Sequence, residues 1–182
     1  MSEKRDQLWN ELSSRIFDDF SQLPESERQW IAERLPRIES LQRQLDHLFS
    51  SGDGENACRL CQGSCCAQGH NHMTLVNLLG FALKETIPPS ADFSRTCPFL
   101  GLQGCVLPVE SRPYNCVTFI CDRIETVLTD AEKERFYRID RELRECYQEF
   151  SNRYSGAAMT GLLIREQRYS GQSFFNLKSS VK

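Results

Sequence analysis

Residues 31–48, IAERLPRIESLQRQLDHL, decide the fold class of this 182-residue chain. Apolar side chains recur there every three or four residues, at Ile31, Leu35, Ile38, Leu41, Leu45 and Leu48. That spacing places them on one face of an α-helix. Pro36 lies inside the run and lacks a backbone N–H, so it should kink or split the helix. Because the apolar spacing continues in phase across it, we expect a kink.

The same pattern predicts helices on both sides of this run. The upstream stripe consists of Leu8, Leu12, Ile16 and Phe20. Downstream, Thr129 followed by Glu132 is typical of a capping box, in which each residue satisfies the other's free N–H group. The helix that follows carries an apolar stripe at Phe136, Ile139, Leu143, Cys146, Phe150 and Tyr154. The stripe predicts that Cys146 is a core thiol, since free cysteine packs as a small hydrophobe.

Shorter helices are expected at residues 74–84, 114–128 and 157–169, with a frayed tail from residue 170. No strand pattern is present, so we predict an all-α fold, a helical wrapper around irregular cysteine-rich loops. Charge divides the chain, because residues 55–121 hold only four basic and four acidic groups. We therefore expect N-terminal helices (1–54), a cysteine-cluster metal-binding core (55–128) and C-terminal helices packing on it (129–182), together one compact domain.

Composition excludes several functions. The net charge of −3 and the absence of a basic stripe argue against nucleic-acid binding. No run of 18 apolar residues occurs, so no membrane span is expected. The charged start of the chain leads into an amphipathic helix instead of a signal core, which predicts a cytoplasmic protein. A protein partner stays open.

The nine cysteines point to the chemistry of the protein. Eight of them fall into two clusters, and we predict that all eight are metal ligands: Cys58, Cys61, Cys65, Cys66, Cys97, Cys105, Cys116 and Cys121. In a reducing compartment, clustered cysteines favour metal or redox chemistry over disulfides. Zinc takes four such ligands in a tetrahedron, and iron–sulfur clusters also take four thiolates. Buried thiols or a reversible thiol switch are the alternatives.

Adjacent cysteines cannot simply share one tetrahedral ion, because neighbouring side chains point apart. Cys65 and Cys66 therefore serve different centres, or one binds while the other packs or bridges. The eight thiols make two four-thiolate centres or one cluster with supporting thiols, and the sequence does not choose. The cationic candidates for offsetting thiolate charge are Arg59, Arg95 and Arg112. Additional ligand candidates are His70 and His72, whereas His47 is expected on a solvated helix face.

Several fixed spacings carry a resemblance to a known family. The quoted pattern is Cys58-x2-Cys61-x-Gly63-x-Cys65-Cys66, then Cys97-Pro98-Phe99-Leu100, Gly104-Cys105, Arg112-Pro113 and Cys116-x2-Phe119-x-Cys121. It resembles the YkgJ-type (CxxCxxCC) cysteine-cluster family, described as zinc- or iron-chelating. Val117 stands where that family often has an arginine. The resemblance implies a metal site over about a third of the chain.

Three functions fit these observations. The first is a metal-binding protein that holds zinc or iron through the eight cysteines. An iron–sulfur cluster is slightly favoured by the tight cysteine run, by Cys97-Pro98, and by a relative of the family, the flagellin lysine methylase, that is associated with an iron–sulfur centre. The second is a structural zinc module that acts as a protein-interaction adaptor. The third is an iron–sulfur-dependent protein-modifying enzyme, although no separate substrate domain or other catalytic motif is visible.

Overall fold

Helices make up most of the molecule. The computed structural model describes residues 2–61, 64–102 and 104–178, without the side chains of residues 65, 67 and 68. The α-helices are α1 (Ser2–Ser21), α2 (Glu25–Ser51), α3 (Gly54–Cys61), α4 (Leu75–Leu83), α5 (Tyr114–Val117), α6 (Asp122–Glu125), α7 (Asp130–Arg153) and α8 (Leu162–Arg168). Helical residues amount to 65%, which confirms the predicted all-α fold class.

Two kinds of short element join these helices. Two 3₁₀ helices cover Ser64–Asn71 and Val109–Ser111. A hairpin pairs β1 (Leu100–Gly101) with β2 (Gly104–Cys105) in antiparallel register. These strands were not predicted, because a two-residue strand is too short to show an alternating pattern in the sequence.

The long helices α1, α2 and α7 follow the predicted apolar stripes. All six stripe residues of α2 are buried, and Pro36 lies within one unbroken helix, so the proline does not split it. In α7 the Thr129 N–H donates to Glu132 Oε2 over 2.9 Å, and the Glu132 N–H donates to Thr129 Oγ1 over 3.3 Å. The capping box is therefore confirmed. Helix α2 packs along α7 and also contacts α3, α4 and α5.

One position on α7 differs from the prediction. Tyr147 is completely buried, whereas Cys146 is only partly buried. Cys146 and Tyr147 are three and four residues after Leu143, so both lie near the helix face that carries Leu143. The larger side chain, that of Tyr147, takes the interior position. Cys146 therefore packs at the edge of the core instead of inside it.

The predicted helix over residues 114–128 is wrong. Two single-turn helices, α5 and α6, occupy this segment, with Thr118 to Cys121 breaking the run between them. Each turn is closed locally, since Thr118 N–H donates to Tyr114 O at 3.0 Å and Glu125 N–H donates to Cys121 O at 2.9 Å. The break separates Cys116 from Cys121, which a continuous helix would have placed at a fixed angle to each other.

The C-terminal segment also departs from expectation. Helix α8 begins at Leu162 instead of residue 157, and within residues 171–178 the tail that was expected to fray is anchored by the buried Phe174 and Phe175. Phe174 is fully buried, and Gly156 N–H donates to its carbonyl over 3.1 Å. The buried Arg165 stacks over the Phe174 ring at 4.0 Å and donates to the carbonyls of Gln172 and Ser173. Phe174 and Phe175 thus pack against their own chain.

Buried apolar side chains from all three predicted parts of the chain form one core, including Trp9, Leu78 and Phe136. The predicted boundaries at residues 54 and 128 stay a prediction. Within the ranges that the structure covers, no helix has both the length and the apolar composition needed to cross a bilayer.

Candidate metal centre

The cysteines of the two clusters lie on short elements that come together beside the long helices. Cys58 and Cys61 are on α3, and Cys66 is in the 3₁₀ helix Ser64–Asn71. The second cluster places Cys97 before β1, Cys105 on β2, Cys116 on α5 and Cys121 directly before α6. Helix α3 contacts both β2 and α6, so the two clusters adjoin. The side chain of Cys65 lies outside the described residues.

The 3₁₀ helix Ser64–Asn71 is held in place from two sides. Arg5 of α1 donates to Asn71 Oδ1 over 2.9 Å and to the His70 carbonyl over 3.3 Å. On the other side, Gly161 lies so close that a Cβ atom there would be 1.8 Å from the Asn71 carbonyl oxygen. Distant parts of the chain therefore position the segment that carries Cys66 and His72.

Cys97 is buried against this 3₁₀ helix. A Cβ atom at Gly69 would lie 2.8 Å from Cys97 Sγ, so only glycine allows the sulfur to sit there. The Cys97 carbonyl accepts the Leu100 N–H at 3.1 Å, and Leu100 pairs with Cys105 in the hairpin. Burial raises the pKa of the Cys97 thiol, and the nearby Cys105 raises it further, against the opposing effect of a hydrogen bond from the Phe99 backbone.

Cys116 shows the strongest perturbation among these thiols. Burial is the main cause that raises its pKa, and negative charge on Cys105, Cys97 and Cys66 adds to it. Arg112 acts in the opposite direction. Cys116 is nevertheless exposed to solvent as a residue, so this thiol lies at the surface side of the cysteine loops.

Cys66, Cys97 and Cys105 therefore each lie within electrostatic reach of Cys116, and Cys105 also within reach of Cys97, although these residues come from separate segments. Cys97, Cys105 and Cys116 are free thiols. Burial and nearby like charge disfavour ionisation, so without a cation the Cys97 and Cys116 thiols, whose pKa values are raised, stay protonated at neutral pH.

The two candidate histidines have different surroundings. His72 Nδ1 lies 3.4 Å from Cys116 Sγ, and burial lowers the pKa of His72, so the ring is neutral at pH 7. His70 Nε2 instead contacts the Arg95 carbonyl at 2.9 Å, and its ring meets the Phe93 ring edge-on. Of the two, the structure brings His72 to a thiol. His47 is exposed on α2.

The three candidate arginines also have different partners. Arg112 forms an ion pair with Asp46 over 3.0 Å, donates to the Leu107 carbonyl, and lowers the pKa of Cys116. Arg59 donates to Asn56 on its own helix, and Arg95 pairs with Asp92. Arg112 is therefore the arginine whose charge acts on Cys116.

Two buried amide side chains beside this site, Asn77 and Gln42, were not predicted from the sequence. Asn77 Nδ2 donates to the Arg112 carbonyl over 2.9 Å, and Gln42 Nε2 donates to the same oxygen over 2.6 Å. Asn77 also contacts Tyr147 Oη at 3.2 Å. These bonds fix the backbone that leads into α5 and hence Cys116. The sequence signal for these bonds was Gln42, a polar residue on the buried face of α2. Its hydrogen-bond acceptor, the Arg112 carbonyl, lies 70 positions away.

Aromatic side chains cover the site unevenly. Phe99 and Tyr114 are buried, and Tyr114 Oη bonds to Asp140 and accepts from Arg144 Nε at 3.1 Å. Burial and the Asp140 carboxylate raise the pKa of Tyr114 to about 12. Phe119, in contrast, lies in the break after α5 and is 55% exposed.

The chemistry of the donor set fits a soft metal, since thiolates are the ligands preferred by zinc and by iron–sulfur clusters. The spacing of the atoms is looser than a metal site requires. Among side chains that the structure describes, no three from His, Cys, Asp and Glu are arranged to hold one ion. Binding would therefore require the sulfurs to draw together.

Comparisons of this chain with models of known families, with curated proteins and with solved structures gave no match. The resemblance to the cysteine-cluster family stays a prediction that rests on the motif alone.

Proposed function

We propose that this protein binds zinc or iron through its clustered cysteines, as the resemblance to the zinc- or iron-chelating family implies. The observation that supports the proposal is that Cys66, Cys97 and Cys105, which come from separate segments, all lie within electrostatic reach of Cys116. A reducing, cytoplasmic environment belongs to the same proposal, because it keeps such thiols available to a metal.

A bound cation accounts for an otherwise unfavourable arrangement. Cys105, Cys97 and Cys66 lie near Cys116, and Arg112 opposes the charge that Cys116 would carry on ionisation. A metal ion takes thiolates as ligands and so removes both the burial penalty and the mutual repulsion. Structural zinc binding contributes about 10–16 kcal/mol at neutral pH, enough to draw flexible loops together.

The residues around the thiols have supporting roles in this proposal. His72 can donate Nδ1–H to the Cys116 sulfur, and Arg112 offsets residual negative charge. Asn77 and Gln42 hold the backbone ahead of Cys116. When bound, a zinc ion supplies a rigid, redox-inactive link between the loops, whereas an iron–sulfur cluster supplies electron transfer. The iron–sulfur form is slightly favoured by the cysteine run and by Cys97-Pro98.

Metal and acid-labile sulfide analysis, with an absorbance spectrum of protein purified without oxygen, tests the proposal. Iron with sulfide and a broad brown absorption would identify an iron–sulfur protein. Zinc in a colourless protein would identify a zinc protein. Purified protein that holds no metal, and takes up neither zinc nor iron on anaerobic reconstitution, would contradict the proposal.

Cysteine variants provide the matched control. Cys61→Ser and Cys116→Ser should lose metal, because each removes a proposed ligand. Cys146→Ser should keep the full metal content, since Cys146 lies on α7 at the edge of the core. Equal metal content in all three variants would refute a role for the clustered cysteines.

A further inference from the structure

We propose that the start of α1, residues 5–9, is a clamp that holds two cysteine-bearing segments side by side and thereby sets how tightly the proposed site retains its metal. Arg5 and Asp6 are the positioning residues of this α1 clamp. Arg5 holds the 3₁₀ helix Ser64–Asn71, and Asp6 holds the loop that leads to Cys97. This role rests on the proposed function, and it does not depend on which cysteines share a metal ion.

The Cys97 loop (residues 92–100) is closed on itself by its own hydrogen bonds. Asp92 N–H donates to the Pro98 carbonyl over 3.0 Å, and Arg95 N–H donates to the Asp92 carbonyl over 3.2 Å. The Arg95 guanidinium also pairs with the Asp92 carboxylate over 2.8 Å. Because the two ends of the loop are tied together, a contact that holds Phe93 also positions the cysteine within the loop.

Helix α1 holds this loop at Phe93 through three kinds of contact. Phe93 N–H donates to Asp6 Oδ1 over 2.9 Å, and the Arg5 guanidinium lies over the Phe93 ring at 5.0 Å from its centre. One turn further along α1, the buried Trp9 packs against the same ring, with the ring centroids 6.5 Å apart. A hydrogen bond, a cation–π contact and an aromatic contact thus meet at one residue of the loop.

The same Arg5 side chain also holds the other segment. Its Nη2 donates to Asn71 Oδ1 over 2.9 Å and to the His70 carbonyl over 3.3 Å, both at the end of the 3₁₀ helix Ser64–Asn71. His70 then links the two segments directly, because its Nε2 contacts the Arg95 carbonyl at 2.9 Å. The cavity enclosed between α1 and these segments measures about 10 Å³, room for at most one water molecule. The three elements are therefore closely packed.

The clamp acts on metal affinity by limiting the freedom of the loops. Among the side chains that the structure describes, no three from His, Cys, Asp and Glu are arranged to hold one ion, so the sulfurs must draw together when a metal binds. Segments that are already held side by side lose less conformational freedom on closing than segments that can separate. Loss of the clamp should therefore weaken metal binding in a chain that stays folded. Because coupling between binding events is reciprocal, bound metal should also hold the start of α1 more firmly.

Zinc affinity of clamp variants tests this role. Full-length apo protein is titrated with Zn²⁺ under reducing, anaerobic conditions in competition with a chromophoric chelator. Arg5→Ala and Asp6→Ala should each bind zinc about tenfold more weakly than the wild type, the effect expected when one hydrogen bond to a charged group no longer holds a segment. Asp6→Asn should restore the affinity, because its Oδ1 still accepts the Phe93 N–H. Gln7→Ala is the matched control, since Gln7 is exposed and its amide donates to Glu11 on the same helix.

Urea unfolding of the same apo variants distinguishes the clamp from a merely structural role. A structural role would lower the free energy of unfolding and leave the zinc affinity of the folded protein at its wild-type value. Amide hydrogen exchange of the wild type adds a test that does not depend on how the variants fold. Zinc should slow exchange at residues 5–9, with α7 as the internal control.

Three results would contradict these proposals, and they are distinguishable. Wild-type zinc affinity in Arg5→Ala and Asp6→Ala, or exchange at residues 5–9 that zinc does not slow, would overturn the clamp and leave metal binding intact. A wild-type chain that binds no zinc would overturn the clamp as well. A chain that binds neither zinc nor iron would contradict the proposed function itself.

Discussion

At the scale of single residues, this structure depends on a few glycines at which an added Cβ atom would clash with a neighbouring atom. Gly161 is the clearest, because its neighbour is a backbone carbonyl that cannot rotate away. Gly69 and Cys97 show the same relation between a glycine and a sulfur. Both positions fix the 3₁₀ helix Ser64–Asn71, since Gly161 contacts Asn71 at its end and Gly69 lies within it against Cys97.

Gly161→Ala should destabilise the protein, because the new Cβ would lie 1.8 Å from the Asn71 carbonyl oxygen. Overpacking of this kind costs about 1–3 kcal/mol or more in the free energy of unfolding, measurable by urea denaturation. Gly80→Ala is the matched control, since its Cβ would meet only Ser111 Oγ at 3.8 Å inside helix α4. That change should stabilise by about 0.5–1 kcal/mol, and equal losses in both variants would contradict the argument.

The Glu27–Arg153 pair predicts a dependence of stability on pH. The hydrogen bonds from Arg153, opposed by burial and joined by a bond from Tyr154, hold the pKa of Glu27 below its ordinary value. A lowered pKa in the folded state means that the stabilisation is complete above the ordinary pKa of glutamate. It is lost as the pH falls through the lowered value.

Glu27→Gln should therefore weaken the protein at neutral pH by about 1.5–3 kcal/mol, the usual range for hydrogen bonds to a charged group. Its acid unfolding curve should also be less steep than that of the wild type. Glu25→Gln is the control, because that carboxylate is 79% exposed and pairs with Arg28 on the surface, where ion pairs contribute about 0–1 kcal/mol. A steep acid transition that persists in Glu27→Gln would exclude this residue as its source.

At the scale of elements, the C-terminal tail behaves as part of the core. Residues 170–178 contain no regular helix, yet Phe174 is buried and the Tyr154–Leu177 bridge attaches the tail to the end of α7. Glu166 also holds this region, because its carboxylate pairs with Arg15 and accepts the Gly171 N–H at 3.1 Å. The tail thereby ties α1, α7 and α8 together.

Phe174→Ala should cost about 3–5 kcal/mol of unfolding free energy, as expected for removal of a fully buried aromatic ring. Leu177→Ala, three residues on, should change stability by no more than about 0.5 kcal/mol, because its side chain is 60% exposed and its bridge uses only the backbone. Thermal or urea unfolding of the two variants would measure the difference. Similar stability in both would mean that the tail does not contribute to the core.

At the scale of the whole molecule, two kinds of stabilisation lie side by side. The long helices α1, α2 and α7 bury continuous apolar stripes, whereas the clustered cysteines lie on or beside elements of no more than eight residues. In the proposed function, metal binding adds to the stability of these short elements.

Removal of the metal by a chelator should therefore affect the two parts differently. Amide hydrogen exchange should become faster in the loops between residues 58 and 121, and stay slow in α2 and α7, which serve as the internal control. Unchanged protection across residues 58–121 in the metal-free protein would show that the loops do not need a metal.

The sequence by itself determined the helices whose stabilisation is local or periodic. The stripe of α2 and the Thr129–Glu132 capping box were readable because their partners lie within three or four residues. The division into α5 and α6 was not readable from the sequence, since no strong local signal marks the break at Thr118. The burial of Tyr147 instead of Cys146 was not readable either, because two adjacent positions on a helix compete for one interior site.

Only the tertiary structure decided how distant residues meet at the candidate site. Spacing identified eight cysteines as candidate ligands but not which of them adjoin, because that depends on packing between α3, the hairpin and α5. The contact of His72 with Cys116, and that of His70 with the Arg95 carbonyl, likewise join residues 25 to 44 positions apart. Hydrophobic periodicity constrains neighbours along one helix, whereas a site assembled from loops is set by contacts between segments, and a single sequence does not encode these in any local pattern.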